Sequence, residues 1–469
     1  MTETTPPQAA LSSALGQRHV TMISLGGIIG AGLFVGSGSA IRDAGPAVLL
    51  VYSACGLLVY FIMRMLGEMA ASMPSAGSFA GYIGRALGPS AGLSARWLFW
   101  CFWVFGVGAE TVAGAKLLDH AGAPGSILEL SFGLLFVMTI LNLFSVRSYG
   151  NFELGFAFIK VAAILVFIAV AGVFLAFFDD RSGNPVITAL GHGGFVPNGL
   201  SGMLAAVPIV IFSMVGSEVA TIAAAESNDP AGNIARAART VAFRILSFYL
   251  LSVGLLLLIT PWVNVPLGTS PFVGALDRIG IPFSGVAMNI VIITAVLSCL
   301  NSGLYVTSRM LFELSTTNGA PRCLGYVNRH KVPIVGVLVG VGAGACAALA
   351  QLYLDQDVFT ILASMAGNLI LFVYMMISIA QIVNRKKLIK HGQPVKGAMF
   401  LFPYLSYFVV LAIAGIIILL LIIPSQRLPL LLSLIPVLLL MIFSIWRNRT
   451  PARDEAIFPG VGLPDISHP

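Results

Sequence analysis

Thr21–Gly38, TMISLGGIIGAGLFVGSG, lies in the first long apolar run of the chain and is too rich in glycine for an uninterrupted spanning helix. Gly26, Gly27, Gly30 and Gly32 fall within about two turns, and each glycine weakens a helix by roughly 1 kcal/mol relative to alanine. Broken backbone is tolerated at membrane depth only where it faces protein or a water-filled cavity. Two readings follow. Either the helix opens at Gly27–Gly32 and offers bare N–H and C=O groups to something polar, or small residues pack tightly against a neighbouring helix.

The rest of the chain says that this run does lie in a membrane. Of 469 residues, 58% are hydrophobic and only 10% charged, against roughly 25% charged in a soluble domain. Spanning the hydrocarbon takes about 20 apolar residues. The pattern predicts about twelve spans, at 19–41, 46–70, 94–117, 126–145, 152–178, 199–225, 238–260, 284–315, 333–353, 358–383, 399–423 and 428–446. Short loops join them, many marked by Pro or Gly. Met1–Gln17 is polar and lacks the basic and apolar regions of a signal peptide.

Lys and Arg placement predicts the orientation. With both termini cytoplasmic, twenty of the 26 basic residues fall inside, five fall outside, and Lys160 belongs to neither side. The net charge of +7 is thereby a matter of membrane orientation, and no nucleic-acid partner is implied. Five scattered cysteines show no CxxC or metal-ligand spacing, which predicts free thiols, no metal and no cofactor.

A second helix-breaking stretch falls five spans after the first. Ser213–Thr221, SMVGSEVAT, gathers Ser, Gly, Glu and Thr at membrane depth, with Pro208 ahead of it. Interrupted helices at corresponding positions of two halves point to a transporter binding site. Five spans per half is an odd number, so the halves are inverted. The expected organisation is a cytoplasmic tail at 1–18 and a transport core at 19–383, with repeats at about 19–178 and 199–383. Helices 11 and 12 then occupy 384–446, and a cytoplasmic tail 447–469.

Ionisable groups at membrane depth are functional candidates. Lys160 either snorkels to the inner interface or faces the core between the halves, where desolvation suits it to proton exchange. Glu110, flanked by Gly106, Gly108 and Gly114, either sits at a close helix contact or faces the central cavity. There it attracts a substrate ammonium or takes part in proton transfer. Glu218 has a similar reading, or caps a half-helix. Glu68 and Glu226 lie near cytoplasmic helix ends, where pairing with arginines such as Arg64 or Arg236 is expected. Asn301, Tyr305 and Ser308 share one helical face that either lines a path or bonds a neighbouring helix, and Phe212 is a candidate gate.

Several motifs in order carry a resemblance: RHVTMISLGGIIGAGLFVGSGSAI, AGPAVLLVY, RMLGEMAASMP, FELGFAFIKVAAILVFI, GGFVPNG, FSMVGSEVATIAAAES and SCLNSGLYVTSRML. The chain resembles the bacterial amino acid transporter family of the amino acid–polyamine–organocation superfamily, and within it the γ-aminobutyrate permeases. The resemblance runs through spans 1–10. It implies an all-α LeuT-type 5+5 inverted repeat with helices 1 and 6 broken at the midplane, and proton-coupled amino acid uptake through the bacterial inner membrane.

Carried onto this sequence, it puts the substrate carboxylate on backbone at Gly27, Ile28, Gly30, Ala31 and Gly32, and the amine on carbonyls around Phe212, Ser213, Met214 and Gly216. Ser217, Glu218, Glu110 and Asn301 complete the expected substrate site, and Lys160 matches the proton-coupling lysine. Two departures stand out. No proline follows Asn233-Ile234, and the residues beside Glu110 are smaller than in γ-aminobutyrate permeases, which bears on substrate identity.

The other classes fit less well. A channel calls for a continuous polar pore and rings of charge. An enzyme calls for a catalytic constellation, yet all six histidines lie in loops or tails and no HExxH is present. A non-transporting nutrient sensor has little loop or tail to signal with. Exchange of two amino acids without net proton movement is the mechanistic rival.

Overall fold

The structure is a computed structural model that describes residues 29–73, 78–144, 146–177, 189–216, 245–328, 332–354 and 357–448. Apart from one isolated bridge, Val327 with Pro333, regular structure among these residues is helical. In chain order the helices are α1 (Ala31–Phe34), α2 (Gly36–Ala44), α3 (Val48–Ser72), α4 (Phe79–Leu87), α5 (Pro89–His120), α6 (Ile127–Phe144), α7 (Val146–Phe177) and α8 (Gly199–Met214). A π-helical turn at Ile245–Leu251 leads into α9 (Ser252–Ile259). There follow α10 (Pro271–Ile279), α11 (Ser284–Thr316), α12 (Ile334–Ala350), α13 (Val358–Lys390), α14 (Tyr404–Leu420) and α15 (Pro424–Asn448).

Among the described residues six helical stretches are long and apolar enough to cross a membrane, and five shorter apolar helices lie among them. The 32 residues of α5 reach about 48 Å, well beyond the roughly 30 Å of a hydrocarbon core. Helices α5 and α13 are mostly buried and pack along one another, whereas α7 and α15 leave most of their length exposed. Phe136, Phe158 and Val166 lie on such exposed faces, as apolar residues do where lipid is the solvent. The protein is therefore an all-helical, multi-pass membrane protein.

The reading of short loops overlooks two nine-residue helices. Ser78 caps α4 by accepting from the Gly81 N–H at 3.3 Å, and Gly88 ends it. Ser270 accepts from Phe272 N–H at 3.3 Å, Pro271 opens α10 and Gly280 closes it in the left-handed region. Each carries ordinary start and stop signals but is too short to stand out by periodicity. Phe272 of α10 inserts its ring between Phe34 and Phe167, with centroids 5.5 and 4.9 Å away.

Polar clasps close both ends of the bundle. At one end Lys116 of α5 pairs with Asp357 at 2.5 Å. Thr360 donates to the other oxygen of Asp357 at 2.7 Å and meets Ser39 of α2 at 3.0 Å. At the opposite end the buried Glu68 of α3 accepts from Arg385 at 3.0 Å, from Gln381 at 2.9 Å and from the Met399 N–H at 2.6 Å. The expected partner of Glu68, Arg64, is thus replaced by an arginine from α13. Arg64 is only one turn before Glu68, but Arg385 brings a guanidinium to the face that α3 buries. Glu226 and Arg236 lie outside the described residues.

Candidate functional site

Both sequence stretches that weaken a helix mark a helix boundary. Gly30 is extended, at φ −139° and ψ −151°, and α1 begins at Ala31. Helix α8 stops at Met214; Val215 is extended and Gly216 has φ +118°, a conformation that favours glycine. The start of α1 and the end of α8 lie side by side, because the glycines allow backbone contact. A Cβ on Gly32 would stand 2.8 Å from Ser213 Cα, and one on Gly30 would stand 2.5 Å from Cys299 Sγ and 2.7 Å from Glu110 Oε1.

A small cavity opens beside this junction. Helix α5 lines it with Phe102, Trp103, Gly106 and Glu110; α1 supplies Gly32; the end of α8 supplies Phe212, Ser213 and Val215; α11 supplies Cys299 and Gly303. The Phe212 ring reaches across it, toward Gly32 on one side and Gly106 on the other.

The polar equipment is sparse and shared between helices. Ala31 N–H donates to both oxygens of Glu110, each at 3.2 Å. Behind this contact Lys160, fully buried, donates to Ser298 Oγ at 2.9 Å and meets Cys299 Sγ at 3.6 Å. Cys299 in turn donates to the Ile29 carbonyl at 3.5 Å. Glu110 and Lys160 therefore both reach the α1 start, one directly at the Ala31 N–H and the other through the Cys299 thiol. Lys160 does not snorkel; its amino group stays inside the bundle. The Ser213 carbonyl accepts from the Tyr249 hydroxyl, and Ser213 Oγ donates back to the Val210 carbonyl at 2.7 Å.

Of the residues singled out in the sequence, Gly32, Glu110, Phe212 and Ser213 line the cavity. Gly30 and Ala31 meet Glu110 next to it, and Met214 and Gly216 mark the end of α8. Asn301 turns away and accepts from Asn142 Nδ2 of α6 at 2.7 Å. Gly27, Ile28, Ser217 and Glu218 lie outside the described residues. The cavity face of α11 is the one carrying Cys299 and Gly303, which lies nearly opposite the Asn301 stripe. Neither residue announces itself as polar, so the stripe of amide and hydroxyl groups drew the eye instead. Phe102 and Trp103 precede Glu110 by about two turns on the same face, a spacing visible in the sequence once Glu110 is taken as the anchor.

A helix start and a helix end meeting at a small cavity, with one acidic and one basic residue buried beside them, fit a membrane carrier of small polar solutes. Comparison with known proteins gives the family. Residues 19–451 match the family model described as "Amino acid permease". The chain is 40% identical over 456 residues to the "Gamma-aminobutyric acid permease" of Bacillus subtilis (strain 168), covering 96% of this chain and 97% of that one. It is 41% identical over 422 residues to the "Gamma-aminobutyric acid permease" of Escherichia coli (strain K12), covering 89% and 90%. An "Aromatic amino acid transport protein AroP" of Salmonella typhimurium (strain LT2) is 34% identical over 433 residues, covering 92% and 94%. The chain belongs to the amino acid permease family; it transports an amino acid and is not an enzyme.

Proposed function

We propose that this permease imports γ-aminobutyrate or a related amino acid together with protons, by alternating access. The observation that carries the reading is the meeting of the α1 start and the α8 end at one cavity, with Glu110 bonded to the Ala31 N–H and Lys160 linked to the Ile29 carbonyl through Cys299. The likeness to two γ-aminobutyrate permeases at 40% and 41% identity supports the substrate.

In this reading the chain has twelve spans in a LeuT-type 5+5 inverted repeat, at about 19–178 and 199–383, with two further helices at 384–446. Both termini are cytoplasmic and the membrane is the bacterial inner membrane. The substrate carboxylate uses N–H groups between Gly27 and Gly32, and the amine uses carbonyls between Phe212 and Gly216, with Ser217 and Glu218 beyond. Helix ends provide both charges' partners from backbone alone. Glu110 holds the Ala31 N–H and gives it up to the substrate carboxylate. Lys160 carries the coupled proton, and protonation favours the outward, substrate-receptive state. Asn301 serves as a helix–helix contact that fixes α11 against α6.

The second reading is an α-amino acid substrate, neutral or aromatic. It is favoured by the likeness to an aromatic amino acid transport protein and by the small residues beside Glu110. Uptake of radiolabelled γ-aminobutyrate into proteoliposomes under an inward proton gradient, with excess α-amino acids as competitors, tests both. Accumulation that collapses with the gradient and yields only to ω-amino acids supports the first reading. Uptake of α-amino acids alone supports the second, and uptake indifferent to the gradient removes proton coupling.

A further inference from the structure

The three glycines around Glu110 look alike in the sequence, but they do different things. A Cβ on Gly108 would stand 3.0 Å from Ala347 Cβ and 3.1 Å from Leu362 Cδ1. One on Gly114 would stand 3.0 Å from Leu134 Cδ1 and 3.3 Å from Val296 Cγ1. Those two glycines let α5 press against its neighbours. Gly106 is different: among the described residues a Cβ there would meet only Phe212 Cε2, at 3.8 Å, an ordinary van der Waals distance.

The same contrast holds among the glycines that line the cavity. A side chain on Gly32 would run into Ser213 backbone, and one on Gly303 would come within 2.8 Å of Val107 Cγ2. Gly106 alone among these three adds space to the cavity by lacking a side chain. Its position is one turn from Glu110 and faces the Phe212 ring, so the space lies beside whatever is held between Glu110 and the α8 end.

We infer that Gly106 is the specificity-determining residue of this permease: its missing side chain forms a lateral slot against Phe212 that admits a substituent on the substrate's carbon chain. The slot favours an amino acid wider than a bare methylene chain, such as a β-substituted γ-aminobutyrate or an α-amino acid with a branched or aromatic side chain. This rests on the transport reading above and deepens it. A linear substrate leaves the slot empty and tolerates its filling; a substituted one does not. One methylene of misfit in an apolar pocket changes discrimination by about 10- to 200-fold.

The test compares wild type, Gly106→Ala and Gly106→Val in proteoliposomes, with γ-aminobutyrate and β-phenyl-γ-aminobutyrate as the linear and substituted probes, and with phenylalanine alongside. Size-exclusion profile and melting temperature are recorded for each variant. The expected result is that Gly106→Ala melts within a few degrees of wild type and loses more of its uptake of the substituted probes than of γ-aminobutyrate. Its kcat/KM for the substituted probes falls by about tenfold or more, and Gly106→Val extends the loss. An unchanged ratio between linear and substituted substrates overturns the inference, as does an equal fall for both. If wild type carries neither γ-aminobutyrate nor phenylalanine, the transport reading fails first and takes the slot's role with it.

Discussion

Ala31 N–H donates to both carboxylate oxygens of Glu110 at 3.2 Å, so the first free donor of α1 is held by the protein's own side chain. The sequence left Glu110 with two uses, attraction of an ammonium and proton transfer. The geometry adds a third, that of an internal stand-in for a substrate carboxylate. An intramolecular hydrogen bond contributes about 0.5–1.5 kcal/mol net, which a competing ligand has to displace. Glu110→Ala is therefore expected to bind amino acid about tenfold more tightly than wild type while transporting it more slowly. Scintillation proximity binding beside an uptake assay checks this. Weaker binding by the variant would instead assign Glu110 to the substrate ammonium.

Lys160 leads to a prediction about energy coupling. Its amino group is buried against Ser298 and Cys299, and Cys299 holds the Ile29 carbonyl, so the charge state of Lys160 bears directly on the backbone ahead of α1. In Lys160→Ala that link is gone. Uptake by this variant is expected to ignore an imposed pH gradient, while exchange of internal for external substrate continues. Gradient-driven accumulation at the wild-type level would remove Lys160 from the proton path. The measurement is paired uptake and counterflow in the same proteoliposomes.

What the sequence made legible here was local. Helix boundaries at Gly30 and Met214–Gly216 follow from residues that weaken a helix wherever they stand, and Glu110 and Lys160 stood out because charges are rare at membrane depth. Positions that depend on a partner far along the chain were not legible. Glu68 finds Arg385, 317 residues away, and nothing near either residue encodes that choice. The sequence leaves the phase of α11 open, between a path lining and a helix contact, for a related reason. Asn301 satisfies its amide against Asn142, whereas the cavity is lined by the inconspicuous Cys299 and Gly303. Likewise Gly106, Gly108 and Gly114 cannot be told apart until the atoms facing each one are known.

The clasp at the Lys116 end predicts charge complementarity. Lys116 and Asp357 are 17% and 23% exposed, between a surface pair of about 0–1 kcal/mol and a buried one whose breakage costs about 3–5. Through Thr360 the pair also reaches Ser39, tying α5 and α13 to α2. Lys116→Ala or Asp357→Ala is expected to lower the melting temperature and raise labelling of Cys299 by an impermeant thiol reagent, in a protein whose other cysteines are replaced. The exchanged pair Lys116→Asp with Asp357→Lys is expected to recover most of both losses. Without such recovery, each residue acts through some contact other than this pair.

Gly367 makes the sharpest packing prediction. Pro208 lies inside α8, and its backbone faces Gly367 of α13 at close range: a Cβ there would lie 1.9 Å from the Pro208 carbonyl oxygen and 2.6 Å from its carbon. Both neighbours are backbone, which cannot rotate away, so accommodating even one methyl group means moving α8 relative to α13. Overpacking of a close-packed interior costs about 1–3 kcal/mol when side chains can yield, and more when they cannot. Since α8 also ends at the cavity with Phe212 and Ser213, the displacement reaches the site. Gly367→Ala is expected to abolish uptake and to lower the yield of monodisperse protein severalfold. Gly415→Ala, on α14 where no described residue lies within 4 Å of the added carbon, is expected to do neither and to gain up to roughly 1 kcal/mol from helix propensity. Fluorescence-detected size exclusion and thermal melting of the two variants side by side separate a packing effect at Pro208 from a general cost of replacing glycine. Equal behaviour of the two variants would mean that α8 and α13 have slack at this contact.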